Sequence, residues 1–312
     1  MVILGDRYNF SKIELERLKK RFNNITHISY KHKGIKESIR IVEGIRRDTP
    51  ITLIVLNTKV KLPHKFITYL SKLEPKGINY MTLEEFLEKH LNKCYLNFNS
   101  DSKSCLEDIH PYTPFQYCQK RFIDYFAVST LFPITLLAVI YSWYRVKKES
   151  PGSLFFTQKR VGLSEKEFTC IKLRSMHLDA EANGAQFAKK DDPRTFPWGK
   201  KIRDNKLDEL IQLWNVFKGE MHFVGPRPER KIWTKEFEKS IPYYTQRHVV
   251  APGITGLAQI KYQYGSGKLD AEQKLMYDLY YIKNWSLFLE IKIIWKTALF
   301  VLTKKREDLS NF

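Results

Sequence analysis

YFAVSTLFPITLLAVIYSWY, residues 125–144, runs twenty positions without a charge in a chain whose formal net charge is +19. Twenty residues of helix, at about 1.5 Å each, reach across the hydrocarbon core of a bilayer. Two features argue against a plain span. Pro133 takes a backbone donor out of the middle of the segment. Both flanks are basic, with Lys120 and Arg121 before it and Arg145, Lys147 and Lys148 after it. Positive flanks favour the cytoplasmic side of a membrane, so both ends are expected there, with the segment dipping in and returning. A re-entrant helix is the favoured reading; a true span and a helix buried in a soluble core are the alternatives. Re-entry requires that the backbone groups freed at the break find partners. Asp124, where the segment begins, reads as a helix cap or as a headgroup-level partner for Arg121.

The 312 residues suffice for two domains with a core in each. Lys and Arg number 53 against 34 Asp and Glu, a surplus that suits an anionic partner: nucleic acid, an anionic membrane face or a phosphorylated substrate. Aromatic residues make up 14% and gather near the apolar segments, which favours a membrane surface. Cys94, Cys105, Cys118 and Cys170 form no C-x-x-C pair, so they read as reduced thiols facing the cytoplasm. The opening MVILGDRYNF meets charge too soon for a signal peptide.

Residues 1–92 alternate strand-like runs (MVILG, THISY, ITLIVLN, GINYMT) with segments of helical spacing (SKIELERLKKRF, IKESIRIVEGIRR, HKFITYLSKLE). LEEFLEKHL follows Thr82, an expected N-cap. That alternation predicts a small parallel α/β domain, Rossmann-like in outline. Gly5 stands without a G-x-G-x-x-G, which argues against a dinucleotide site, and the domain reads as a docking, dimerising or regulatory module. Residues 93–118 read as a linker, 119–149 as the membrane helix, 150–305 as an α+β catalytic domain and 306–312 as a tail. Within the catalytic part, NWSLFLEIKIIWKTALFVLTKKR is apolar but broken by Glu290, Lys292 and Lys296 and closed by Lys304, Lys305 and Arg306. It suits an interfacial amphipathic helix or a helix packed on the catalytic domain, and the two fit different faces.

The chemistry concentrates in KLDELIQLWNVFKGEMHFVGPRPER, residues 206–230. Helical spacing from Asn205 groups Leu210, Leu213, Trp214 and Phe217 on one face and Asp208, Gln212 and Asn215 on the other. Asn205 as N-cap would place Asp208 in the first turn, where the helix dipole favours a carboxylate. The bland explanation of Asp208 and Glu209 stops there. Their surroundings suggest more, because VGPRPE presents Arg227, whose planar fork suits phosphate. An ionised Asp at such a place is a nucleophile, and adjacent carboxylates can share a Mg²⁺ that screens a pyrophosphate.

Basic residues approach this acidic pair from two sides. CIKLRSM sets Lys172 and Arg174 on the polar face of an expected strand, and DDPRTFPWGKKIR brings Arg194, Lys200 and Arg203. Asp179 and Glu181 form a competing carboxylate pair. RHVVAPGITGLAQIKYQYG offers a glycine-bearing loop with Gln259 nearby, suited to a nucleotide or sugar. His248 there reads as a structural residue, and Tyr243, Tyr244, Tyr262 and Tyr264 suit either base stacking or a lipid headgroup.

GSLFFTQKRVG, IKLRSM, DPR, LDELIQLWNVFKGEMHFVGPRPE, PGITGLAQI and YDLYYIKNWSLFLEIKII follow one another in the order found in the bacterial polyprenyl-phosphate sugar-1-phosphate transferases. The chain resembles these monotopic phosphoglycosyl transferases over residues 119–305, and most closely the exopolysaccharide-initiating branch. The resemblance implies transfer of a sugar-1-phosphate from a UDP-sugar to undecaprenyl phosphate, release of UMP and a need for Mg²⁺. It implies a bacterial inner-membrane enzyme with its catalytic domain facing the cytoplasm, and leaves a homodimer open. The family's dyad falls on Asp208, the implied nucleophile, and Glu209, which assists with metal or proton handling. Its phosphate-contacting arginines fall on Arg203 and Arg227, and its KxR strand on Lys172 and Arg174. Three departures stand out. Phe132-Pro133 replaces the usual Ser-Pro and comes about one turn early relative to Asp124. The α/β region begins the chain, without preceding transmembrane helices. Leu257 stands where many relatives have Trp. A basic, membrane-attached nucleic-acid binder is the competing class; an acidic pair amid the basic residues would repel a phosphate backbone, and no nucleic-acid-binding signature is present. A non-catalytic scaffold is disfavoured because Asp208, Glu209 and Arg227 are intact.

Overall fold

The computed structural model describes residues 1–29, 35–48, 50–58, 62–96, 108–182, 184, 186–187, 191–262 and 267–303. Lys304–Arg306, Tyr264 and Cys105 lie outside the described residues. The chain divides into two compact units, Met1–Tyr95 and Leu96–Phe312.

In the first unit, β1 (Val2–Leu4), β2 (Thr26–Ile28), β3 (Leu53–Leu56) and β4 (Asn79–Thr82) form a parallel sheet in the order β2-β1-β3-β4. Helices α1 (Lys12–Lys19), α2 (Ile35–Asp48) and α3 (His64–Ser71) connect them, and α4 (Leu83–Phe86) follows. The β-branched runs read as strands because Val2, Leu4 and Ile54 are buried with Val42, Phe66 and Leu70. Thr82 caps α4 in a reciprocal box with Glu85. Lys93, assigned to the linker from sequence, belongs to this unit. Its ammonium is buried in an ion pair with Glu14, and Tyr8 hydrogen-bonds Glu14 at 2.8 Å.

The second unit opens with α5, Pro114–Glu149, started by a capping box between Thr113 and Gln116 with Pro114 in the first turn. It begins five residues before the expected start at 119 and continues past Pro133 to Glu149. Thirty-six residues of helix measure about 54 Å. One stripe is buried, through Lys120, Asp124, Ala127, Thr135, Ser142 and Val146. Phe122, Phe126, Phe132, Leu137, Ile140 and Trp143 are exposed.

Both ends of α5 are fastened to the same unit. Near its start, the Lys120 Nζ donates to the Val224 carbonyl (2.6 Å), and the Arg121 Nη1 donates to the Val216 carbonyl (2.8 Å). Near its end, the Trp198 indole donates to Ser142 (3.1 Å), and the Trp198 amide donates to Glu149 (2.5 Å).

After α5, β5 (Phe155–Val161) and β6 (Glu167–Leu173) make an antiparallel hairpin. Helix α6 (Pro197–Asp204), a 3₁₀ turn over Leu207–Gln212 and α7 (Leu213–Lys218) lead to β7 (His222–Val224). That strand pairs in parallel with β8 (Gly253–Thr255), beyond α8 (Lys231–Ser240) and a 3₁₀ turn over Tyr244–Val249. Helices α9 (Leu257–Lys261), α10 (Lys268–Lys283) and α11 (Leu287–Thr303) complete the unit. Helix α11 has two faces: Leu289, Glu290 and Ile293 are buried, whereas Phe288, Ile291, Trp295 and Leu302 are exposed.

The Lys120 ammonium lies 2.6 Å from Glu290, and both side chains are fully buried. These two charges, one read from sequence as a basic flank and the other as an interruption, are a buried strut joining α5 to α11. Asp124 is buried too: it accepts from the Phe223 amide (2.7 Å), contacts His222 Nδ1 (2.7 Å) and pairs with Arg121 (3.2 Å). It is thus an internal anchor for β7 that also pairs with Arg121.

Candidate active site

The path from α6 to α7 differs from the expected single helix. Asn205 closes α6, donating its side-chain amide to the Lys201 carbonyl, rather than capping a new helix. Lys206 then takes a left-handed backbone (φ 59°), and the six residues after it wind as a 3₁₀ turn. The tighter winding and the reversal at Lys206 put Asp208, Gln212 and Asn215 on the inside. On the expected apolar face Leu213 is buried, whereas Trp214 and Phe217 are about half exposed, with rings stacked at 5.6 Å. Arg121 grips the Phe217 carbonyl (3.1 Å), and Tyr125 packs edge-on against the Phe217 ring. The apolar face of this segment thus continues the exposed apolar surface of α5.

Asn215 fixes the inward face to the hairpin. Its carbonyl oxygen accepts from the Ile171 amide (3.2 Å), and its amide nitrogen donates to the Thr169 carbonyl (2.8 Å) and to Glu220 (2.6 Å). With β6 locked in this way, Lys172 reaches Glu209 at 2.6 Å. From the other side Arg227 reaches the same oxygen, Oε1, at 2.8 Å. Glu209 Oε2 and the whole Asp208 carboxylate make no hydrogen bond among the described residues.

Backbone pairing aims Arg227. The Gly225 amide donates to the Thr255 carbonyl and the Gly253 amide to the Pro226 carbonyl, each at 2.8 Å. A Cβ on Gly253 would lie 2.0 Å from the Gly225 nitrogen, so this close approach of two loops requires glycine there. The Arg247 Nη2 donates to the Arg227 carbonyl (3.0 Å) and to Asp278 (2.8 Å), tying the turn to α10.

The two adjacent carboxylates have opposite environments. Burial, and then the charge of Glu209, push the Asp208 carboxyl up to about 6, against the pull of Lys172, Arg203 and Lys206. Burial works on Glu209 in the same direction, but Arg227 and Lys172 outweigh it and hold that carboxyl well below its usual range. At neutral pH Glu209 is firmly ionised and Asp208 is a poorly solvated carboxylate.

The remaining site residues proposed from sequence divide. Lys172 and Arg227 are in contact with the dyad, and Arg203, in the last turn of α6, bears on Asp208 through its charge alone. Arg174 faces elsewhere. Strand β6 ends at Leu173, so the alternation that would keep Arg174 beside Lys172 stops one residue short. Its buried guanidinium donates to Ser153 O (2.5 Å), Ser150 Oγ (2.7 Å) and Met176 O (3.3 Å), closing the junction between α5 and the hairpin. Gln259, on α9, donates to the Ile254 carbonyl (3.0 Å), and its buried oxygen lacks a partner among the described residues. Glu181 pairs with Arg230 at 2.9 Å. Burial and the Arg247 charge push the His248 imidazole down to about 3, so it is neutral. Helical spacing had placed Asn215 on the face of Asp208; sequence reasoning missed His222 and the Lys120–Glu290 strut, for which no local pattern gives a signal.

Among the described residues no group of three His, Cys, Asp or Glu side chains is set to hold a metal. Magnesium is commonly held by one or two carboxylates plus substrate phosphates. The open oxygens of Asp208 and Glu209, with cations on the far side of Glu209, fit an ion of that kind arriving with a pyrophosphate.

A buried carboxylate beside a cation-clamped partner thus lies on the unit that carries a long, largely exposed apolar helix. Residues 115–304 match the bacterial sugar transferase family, and the chain belongs to it. The UDP-N-acetylgalactosamine-undecaprenyl-phosphate N-acetylgalactosaminephosphotransferase of Aeromonas hydrophila is 41% identical over 184 residues, which cover 59% of this chain and 44% of that protein. A UDP-glucose:undecaprenyl-phosphate glucose-1-phosphate transferase from Xanthomonas campestris pv. campestris is 40% identical over 60% of this chain and 38% of its own length. Its namesake in Caulobacter vibrioides is 36% identical over 59% of this chain and 70% of its own length. The matched region is thus less than half the length of the first two relatives.

Proposed function

We propose that this chain transfers a sugar-1-phosphate from a UDP-sugar to undecaprenyl phosphate, releasing UMP, as the first membrane step of a surface polysaccharide. The observation that carries this reading is the division of labour in the dyad: Glu209 is held by Lys172 and Arg227, whereas Asp208 is buried and its carboxylate has no hydrogen bond among the described residues. A carboxylate kept short of partners is a better nucleophile than a solvated one.

In the first displacement an Asp208 oxygen attacks the β-phosphorus. The bond from that phosphorus to the bridging oxygen breaks, and UMP leaves with the electron pair. In the second, an oxygen of the polyprenyl phosphate attacks the same phosphorus and Asp208 is released as carboxylate. Arg227 and Arg203 orient the phosphates and offset their charge. Glu209, fixed on one oxygen, holds Lys172 and Arg227 at that spacing. Magnesium, bound by Asp208 and Glu209, would supply charge screening for the pyrophosphate.

The acceptor is a lipid, and α5 suits delivery of one. Because both its ends bind the same unit, the helix is read as entering one leaflet and returning, with the catalytic domain on the cytoplasmic face. A test is to incubate purified protein with Mg²⁺, labelled UDP-sugars and undecaprenyl phosphate in phospholipid vesicles. Label passing into the lipid phase with stoichiometric UMP supports the reading. A nucleotide product other than UMP would replace it with a different transfer chemistry.

A further inference from the structure

We propose that Arg160 and Arg247 are positioning residues for the transfer: they hold the main chain around Arg227 so that its guanidinium stays beside Glu209, and they do not touch the substrate. The inference rests on the reaction proposed above, in which Arg227 orients the phosphates. It starts from the composition of the turn. In Gly225-Pro226-Arg227-Pro228-Glu229 the two prolines have no amide hydrogen to donate. Such a turn has fewer donors of its own, so its carbonyls carry more of the work of fastening it.

All four carbonyls from Pro226 to Glu229 accept a hydrogen bond. The Gly253 amide donates to the Pro226 carbonyl (2.8 Å), and the Val161 amide donates to the Glu229 carbonyl (2.9 Å). The two carbonyls between them take guanidinium donors instead. Arg247 Nη2, from the 244–249 turn, donates to the Arg227 carbonyl at 3.0 Å. Arg160 Nη1, from β5, donates to the Pro228 carbonyl at 3.2 Å. Main-chain amides thus fix the outer carbonyls, and two arginine side chains fix the inner pair.

Both guanidiniums are engaged inside the protein. The Arg247 side chain is 5% exposed, and its terminal nitrogens also donate to Tyr244 (2.7 Å) and Asp278 (2.8 Å). The Arg160 side chain is 19% exposed, and its second terminal nitrogen donates to Gln158 at 2.6 Å. Arg227 differs: its side chain is 42% exposed and reaches out to Glu209. A planar guanidinium donates along fixed directions to several acceptors at once, which suits it to locking a carbonyl between other partners. Displacing a phosphate-orienting group by about 1 Å can lower a rate by roughly a hundredfold.

The test is a double-variant cycle on the full chain in phospholipid vesicles containing undecaprenyl phosphate. Labelled UDP-hexoses and UDP-N-acetylhexosamines are compared first, and the best donor is used throughout. Rates are read in single turnovers with protein in excess, so that slow variants are followed to completion. In the wild-type background Arg160→Met and Arg247→Met are each expected to lower transfer by about tenfold or more. In an Arg227→Met background the same changes should alter the remaining rate by less than about twofold, because no guanidinium is left to aim. A direct substrate contact, or a merely structural loss, would recur in both backgrounds. Arg160→Met keeps the test open if Arg247→Met, which strands the buried Asp278, fails to fold. Equal losses in both backgrounds would overturn the proposal, and so would undiminished transfer in the folded single variants. Arg227→Met as active as wild type would remove the residue that the two arginines position. Wild-type protein that transfers from none of the donors would remove the transfer reading itself, and this inference with it.

Discussion

Glu290 and Glu209 are both carboxylates tucked against cations in the same unit, and they are finished in opposite ways. Glu290 is fully buried and saturated: Lys120 takes Oε1 at 2.6 Å, and Tyr281 (2.8 Å) and Trp285 (3.0 Å) take Oε2. Glu209 carries Lys172 and Arg227 on one oxygen, and its other oxygen and the neighbouring Asp208 carboxylate have no hydrogen bond among the described residues. A buried charge with every lone pair matched holds a fold together. A buried charge left short of partners costs stability instead. The first cluster fastens α5 to α11 and to the Val224 carbonyl, immediately before the turn that carries Arg227. The second is positioned by that turn.

The contrast breaks most visibly at Asp208. Asp208→Asn should lower transfer by roughly a thousandfold or more, as expected when a covalent nucleophile is removed, while leaving the fold intact; lipid-phase label transfer reads it. Substantial residual activity would mean that the open carboxylate is not the reacting one.

Lys120→Met should do the reverse. Stranding the fully buried Glu290 is expected to cost about 3–5 kcal/mol of stability, read as a lower midpoint in thermal or denaturant unfolding. Pairing it with Glu290→Met should recover only part of the loss, because the buried Trp285 indole, which donates to Glu290, would still lack its partner. Full recovery would make the strut dispensable.

The pH dependence sharpens the comparison. A carboxyl whose folded value is raised from an ordinary 3.8 to about 6 binds its proton more tightly in the native state. Ionised Asp208 therefore costs stability, and that cost grows as pH rises from about 4 to 6 and is complete above it. Asp208→Asn should be the more stable protein at pH 8, by up to about 3 kcal/mol, with the advantage shrinking toward zero near pH 4. Wild-type transfer should fall as pH drops through about 6, because the nucleophile becomes protonated.

The smallest expected effect concerns Arg174. Its donors all serve the Ser150, Ser153 and Met176 junction, so Arg174→Met should cost about 2 kcal/mol of stability and leave the donor KM of the folded protein unchanged. A rise in KM without loss of stability would return Arg174 to the phosphate site.

These cases show where the sequence was readable. The four strands of the first unit were legible because each falls in a short apolar or β-branched run between segments of helical spacing, and Thr82 announced its helix. The acidic pair and Arg227 were legible because the chemistry needs those residue types close together. The surroundings were less so. One left-handed residue, Lys206, and the 3₁₀ turn after it replaced the start of an expected helix, and on its apolar face Leu213 is buried while Trp214 and Phe217 are half exposed. The end of β6 at Leu173 separated Arg174 from Lys172. Lys120 and Glu290 are 170 residues apart, and a basic flank and a helix-breaking acid give no hint that they meet. Backbone reversals and long-range pairings decide such matters, and both depend on the assembled fold.

The most direct test of the central claim is the intact mass of the purified protein after brief incubation with Mg²⁺ and a panel of UDP-sugars, with no lipid acceptor present. A gain of one sugar phosphate, absent in Asp208→Asn, is the expected result and identifies the donor. UMP release that begins only when undecaprenyl phosphate is added, with no adduct from any donor used, would contradict a covalent Asp208 intermediate.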